Sequence, residues 1–133
     1  MNHGRITSYL SQIMEEQFEF GKNDCHIMAF SVVDLILDTE YRLELIGKYK
    51  TSKAGFKHLA KTGTFKNITH LCQVLADQVE IPRDGDILLD GQHCSIYWMG
   101  KYLVLNEETN KYQIERYSHD DSTCLIYRIR EGQ

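Results

Sequence analysis

Asp24-Cys25 opens the run GKNDCHIMAFSVVDLILD, residues 21–38. The residues able to do chemistry start there. Cys25, Met28, Ala29, Val32, Val33, Ile36 and Leu37 recur at helical spacing, an apolar stripe. Aspartate is a strong N-cap, so Asp24 puts Cys25 at the first helical position. Free N–H groups and the helix dipole favour negative charge there. That field lowers a thiol's pKa, and the thiolate is the nucleophile. A cysteine that only packs is the plainer alternative. A thiol nucleophile also needs a base, and the base an orienting group. The chain has 6 histidines. His26 neighbours Cys25 but points about 100° away around the helix. His58 and His70 fall in helical stretches, and His3 and His119 in termini or loops. His93 lies in a strand-like run, HCSIYW.

The elements around these residues divide into two halves. Ile6, Tyr9, Leu10, Ile13 and Met14 predict a first helix, and residues 25–37 a second. A short helix is expected near 40–46. Another is expected over 52–61, capped by Ser52 and stopped at Gly63, and a further short one over 67–76. After Pro82 the pattern changes to strands: 86–89, 92–98, 101–106, 111–117 and 124–130. Helices followed by antiparallel strands is the α+β pattern. A two-residue turn at Asp90-Gly91 sets His93 opposite Leu88. A turn at Gly100-Lys101 sets Ser95 opposite Asn106. Asn106 is then the diagonal neighbour of His93, within reach of a long side chain. Glu108 would oppose His93 if pairing continued that far.

Bulk properties narrow the classes. The chain has 133 residues, 42% apolar and 26% charged, as expected of one globular domain over 1–133. A net charge of −4 disfavours general nucleic-acid binding. No apolar run approaches the ~20 residues of a membrane span. The N-terminus lacks a signal peptide's apolar core, so the 4 cysteines are expected to be reduced thiols. No CxxC or HxxxH spacing is present, so no metal site is expected. Cys72, Cys94 and Cys124 read as packing residues. Lys48, Lys50, Lys53, Lys57, Lys61 and Lys66 form a run without acids, read as a solvated face, with an anionic-polymer patch as the sharper alternative. Glu107-Glu108 and Asp120-Asp121 read as loop charges.

Phe20-Gly21-Lys22-Asn23-Asp24-Cys25, then Gly85-Asp86-Ile87, then His93-Cys94-Ser95-Ile96-Tyr97, resemble the NlpC-type cysteine peptidases, compact relatives of papain. The resemblance spans roughly residues 16–130. The stretch GKYKTSKAGFKHLAKTG is similar to short phage-encoded members found among tail-assembly genes. The resemblance implies a papain-like α+β fold with Cys25 as nucleophile, His93 as base and Asn106 as the polar orienter. The Cys25 backbone N–H would contribute to an oxyanion hole, with Asp24 as the cap. It implies hydrolysis of a cell-wall peptide amide without a cofactor. Phage tail proteins are the expected partners, and synthesis in the cytoplasm followed by association with the virion is the expected setting. His26-Ile27 departs from the family's Ser-Gly after the cysteine, and Cys94-Ser95 from its Val-Gly after the histidine. Phe18 or Phe20 stands where many members have a tyrosine. The competing expectation is a catalytically silent assembly or binding module on the same fold. Acyl transfer by the same pair is a third.

Overall fold

The computed structural model describes every residue except Asp121 and Gln133, so the expectation for Asp121 lies outside the described residues. Helix α1 (His3–Glu15) starts on an Asn2 side-chain cap and buries Ile6, Leu10 and Ile13, one face of the helix. Helix α2 (Cys25–Leu37) is the centre of the fold. Its residues from His26 to Asp34 are all buried, so the expected stripe is a helix enclosed on all sides over its first turns. It ends at Asp38, in the left-handed conformation (φ 58°) that aspartate tolerates. A 3₁₀ turn (Tyr41–Glu44) follows, then α3 (Ser52–Thr62) and α4 (Ile68–Leu75). Thr51 caps α3 rather than the expected Ser52.

The strands are β1 (Ala76–Val79), β2 (Ile87–Asp90), β3 (His93–Trp98), β4 (Lys101–Asn106), β5 (Lys111–Arg116) and β6 (Leu125–Ile129). They form one antiparallel sheet in the order β1-β6-β2-β3-β4-β5. Helices followed by an antiparallel sheet make the fold α+β. Strand β1 was not expected, since the helical pattern was read as running through Ala76. It is short, lies at the sheet edge and buries only one residue, so it carries no alternating signature.

Both hairpin turns differ from expectation by one residue at each side. Asp90 pairs with His93, so Gly91-Gln92 is the loop, with Gly91 at φ 63°. Glycine occupies the first of the two central positions rather than the second. The second loop is Met99-Gly100, both at positive φ, with Trp98 paired to Lys101. Ser95 therefore opposes Leu88. The Ser95 hydroxyl donates to the Leu103 carbonyl (2.7 Å) and accepts from the Leu103 N–H (3.0 Å). That side chain replaces a backbone rung, and regular β3–β4 pairing is limited to residues 97–98 and 101–102.

Ile87, Leu89 and Ile96 join the core with α2, and Cys94 packs against it. Strand alternation puts Leu88, Asp90, His93 and Ser95 on the other face. Arg128 of β6 clamps the start of β2. Its guanidinium donates to both oxygens of buried Asp86, at 3.1 and 2.7 Å, and Arg83 N–H adds a third bond. No helix among the described residues is long and apolar enough to cross a membrane.

Candidate active site

Residues 16–25 are fixed in place before α2 begins. Gly21 has φ 83°, and a Cβ there would lie 2.1 Å from the Tyr49 carbonyl oxygen, so only glycine fits. The Tyr49 ring in turn lies against Gly55 of α3, where a Cβ would meet it at 2.8 Å. The Tyr49 hydroxyl donates to Asp24 Oδ2 (2.7 Å), which also accepts from Gly21 N–H (2.9 Å). Asp24 Oδ1 accepts from Ile27 N–H (3.1 Å), the cap bond expected of it. Tyr112 of β5 donates to the Asn23 carbonyl (2.8 Å). Asp24 thus joins α2, the 21–24 turn and the Tyr49 segment through one buried carboxylate.

Cys25 is the first residue of α2, half-buried, and lines a cleft of about 1010 Å³. Phe18, Phe20, Tyr49 and Phe56 contribute aromatic wall to that cleft, with Tyr102, Tyr112 and Tyr117 from the sheet side. The Cys25 thiol is held down at about 6. The chief cause is a hydrogen bond from the Cys94 thiol; the charge of His26 and the Cys94 backbone N–H act in the same direction. Burial and the Asp24 carboxylate oppose them. The Cys94 thiol is pushed well above its ordinary value, first by that same hydrogen bond and then by burial. Its sulfur also lies 3.2 Å from the Cys25 carbonyl oxygen, so its single hydrogen is shared between that carbonyl and the Cys25 sulfur. The backbone N–H groups of Cys25 and His26 find no acceptor among the described residues.

The imidazole at the sulfur is that of His26. One ring nitrogen of His26 and the sulfurs of Cys25 and Cys94 lie within 4.8 Å of one another. The ring is buried, stacks edge-on against Phe56 and donates from Nε2 to the Gln92 carbonyl at 2.7 Å. The carbonyl can only accept, so Nε2 carries a hydrogen, and Nδ1 has no hydrogen-bond partner among the described residues. Helical angle alone had set His26 aside. The β2–β3 turn overrides the angle, because its carbonyl draws the ring toward the start of β3. Cys94, read from sequence as packing, is the second group at the sulfur. The only signal for it was its place beside His93 in the strand.

His93 lines the same cleft but is exposed, on the sheet face away from α2. Its ring has no hydrogen-bond partner among the described residues. Asn106 is used locally. Its Oδ1 accepts from Glu108 N–H (2.9 Å) and Thr109 N–H (3.3 Å), and its Nδ2 donates to Gln113 (2.9 Å). It closes the β4–β5 turn and forms no bond to His93. The observed β3–β4 register, with Tyr97 paired to Tyr102, would set Asn106 directly opposite His93, but the Ser95 side chain interrupts the ladder and regular pairing does not extend that far.

Cys25, His26 and Cys94 are the one set of three among the described residues whose donor atoms could converge on a metal. Within this set the Cys94 thiol donates to the Cys25 carbonyl oxygen. Six exposed lysines run from Lys48 to Lys66, with Lys53, Lys57 and Lys61 on α3, and none is in an ion pair among the described residues.

The family described as "Domain of unknown function (DUF6950)" matches residues 2–119. The chain belongs to that family. The match takes in α1 through β5 and every residue of the site. No curated protein and no solved structure matches the chain.

Proposed function

We propose that this protein is a thiol hydrolase that cleaves an amide bond by attack of Cys25. The observation carrying this reading is a thiol held near 6 at the start of a helix, at the wall of a large aromatic cleft. Such a thiol is mostly thiolate at neutral pH. The thiolate attacks the amide carbonyl carbon, and the oxygen takes up the electron pair. The free N–H groups of Cys25 and His26 are donors for that oxygen. As the C–N bond breaks, His26 gives the leaving amine the proton it took from the Cys25 thiol, and a thioester remains on Cys25. Water then attacks the thioester, giving its proton back to His26 and releasing the acid. Gln92 acts through its carbonyl, orienting the His26 ring. The Gln92 side-chain oxygen is buried without a partner among the described residues.

The sequence resemblance to NlpC-type peptidases supports a cell-wall peptide as the substrate and a phage tail as the setting. His26 takes the part that the resemblance gives to His93. A catalytically silent tail-assembly or binding module is the second reading, favoured by Asn106 spending its side chain on the β4–β5 turn rather than on His93.

p-Nitrophenyl acetate and purified cell-wall peptides test both readings. The hydrolase should give a burst of one nitrophenolate per chain, an acetyl group on Cys25 by mass spectrometry, and new free amines from the peptides. All three should vanish in Cys25→Ala. His26→Ala should slow turnover far more than His93→Ala. No burst and no acyl adduct on the folded, reduced protein would establish the silent module.

A further inference from the structure

We infer that Cys25 and Cys94 form a redox site, closed to an intramolecular disulfide by a hydroperoxide and reopened by a thiol reductant. The two sulfurs lie within 4.8 Å of each other on elements held together by the core and by the His26–Gln92 bond. A disulfide needs about 2.05 Å, so the sulfurs must close by at most about 2.8 Å. Cys25 and Cys94 are both half-buried, both line the cleft and both pack against the core, so a small oxidant in the cleft meets the pair together. A redox pair has an acidic attacking thiol beside a resolving one. The acidities assign those parts, Cys25 down to about 6 and Cys94 well up.

The remaining thiols offer no equal partner. Cys72 is fully buried and pushed up to about 12 by burial, and Cys124 sits 2.8 Å from the Ser122 hydroxyl. The Cys25 thiolate attacks one peroxide oxygen; the O–O bond breaks, and the alkoxide or hydroxide leaves with a proton from water. Cys25 is then a sulfenic acid. The Cys94 sulfur attacks the Cys25 sulfur, its thiol proton joins the departing hydroxyl, and water leaves. Two thiols of a reductant reverse the closure by exchange, ending as the reductant's disulfide.

Closure removes the attacking sulfur and so would switch off the hydrolase; that consequence rests on the reading above. Disulfide formation does not, because it is read without substrate. A chain with no hydrolytic activity can still close the pair, and an active one can fail to.

The reduced full chain is treated with a small excess of hydrogen peroxide at neutral pH, blocked with N-ethylmaleimide and digested without reductant. The expected result is loss of two hydrogens from the intact mass, a cross-linked peptide pair containing residues 25 and 94, and reversal by dithiothreitol. In Cys94→Ala, and in Cys94→Ser should alanine fail to fold, dimedone should label Cys25 several-fold more than in the wild type. Equal dimedone labelling of wild type and variants would overturn the inference. So would a cross-link through Cys72 or Cys124, or oxidation without any cross-link.

Discussion

Replacing Cys94 with alanine removes the largest influence on the Cys25 thiol while leaving Cys25, the cap and His26 in place. The drop from 9.0 to about 6 is three units, about 4 kcal/mol of preference for the thiolate. The residue-94 backbone N–H and the His26 charge survive the change, so the expected rise is partial, about 1–2 units. At pH 7 a thiol of pKa 6 is roughly nine-tenths ionised, and one of pKa 8 roughly one-tenth. A less acidic thiol is also intrinsically more nucleophilic, by about six- to tenfold over two units, so rates at one pH nearly cancel. The midpoint of a pH–rate profile is therefore the quantity to measure. Iodoacetamide alkylation of Cys25, followed by intact mass from about pH 4.5 to about pH 9.5, reads it for a single thiol. The wild type should turn over near pH 6, Cys94→Ala higher by one unit or more, His26→Ala in the same direction, and His93→Ala unchanged. A wild-type midpoint above about pH 8 would refute the activated thiolate. A midpoint unmoved by Cys94→Ala would refute the hydrogen bond as its cause.

Other consequences follow from the same contacts. Asp24→Ala should cost about 3 kcal/mol in urea unfolding, from a lost cap plus unpaired Tyr49 hydroxyl and Gly21 N–H groups, whereas Asp24→Asn should keep much of that. Gly21→Ala should cost about 1–3 kcal/mol or more, since the new Cβ meets the Tyr49 carbonyl at a positive φ. Arg128→Ala strands the buried Asp86 carboxylate and should sit near the low end of about 3–5 kcal/mol, as Arg128 is itself part-exposed. Folding lowers the Cys25 pKa, so the unfolded chain binds more protons between about pH 6 and about pH 9. Stability from this group is complete above that window and is lost as pH falls to 6; Cys25→Ser should flatten the rise in melting temperature. Cys72 has the opposite sign, because its raised value makes stability fall as pH climbs from 9 toward 12.

Local signals carried well wherever the nearest residues decide the outcome. Asp24 caps α2 and Cys25 is its first residue, because a cap bond reaches only three residues ahead. The α+β order followed from a change of apolar period near Pro82. The Gly-Asp pair at 85–86 was legible as a motif, but its partner Arg128, 42 positions away, was not. Strand β1 escaped notice because an edge strand with one buried residue has little pattern to show.

The sequence by itself determined the reactive end of α2, through capping and helix dipole, both short-range effects. Only the tertiary structure decided what faces that sulfur. The β2–β3 register and a carbonyl at Gln92 set Cys94 and His26 beside Cys25, and the Ser95 side chain inserted between β3 and β4 ends regular pairing before it reaches His93 and Asn106, which share no hydrogen bond. Side chains alternate along a strand, so register governs which neighbour reaches a distant helix, and register is settled by the whole sheet and its core.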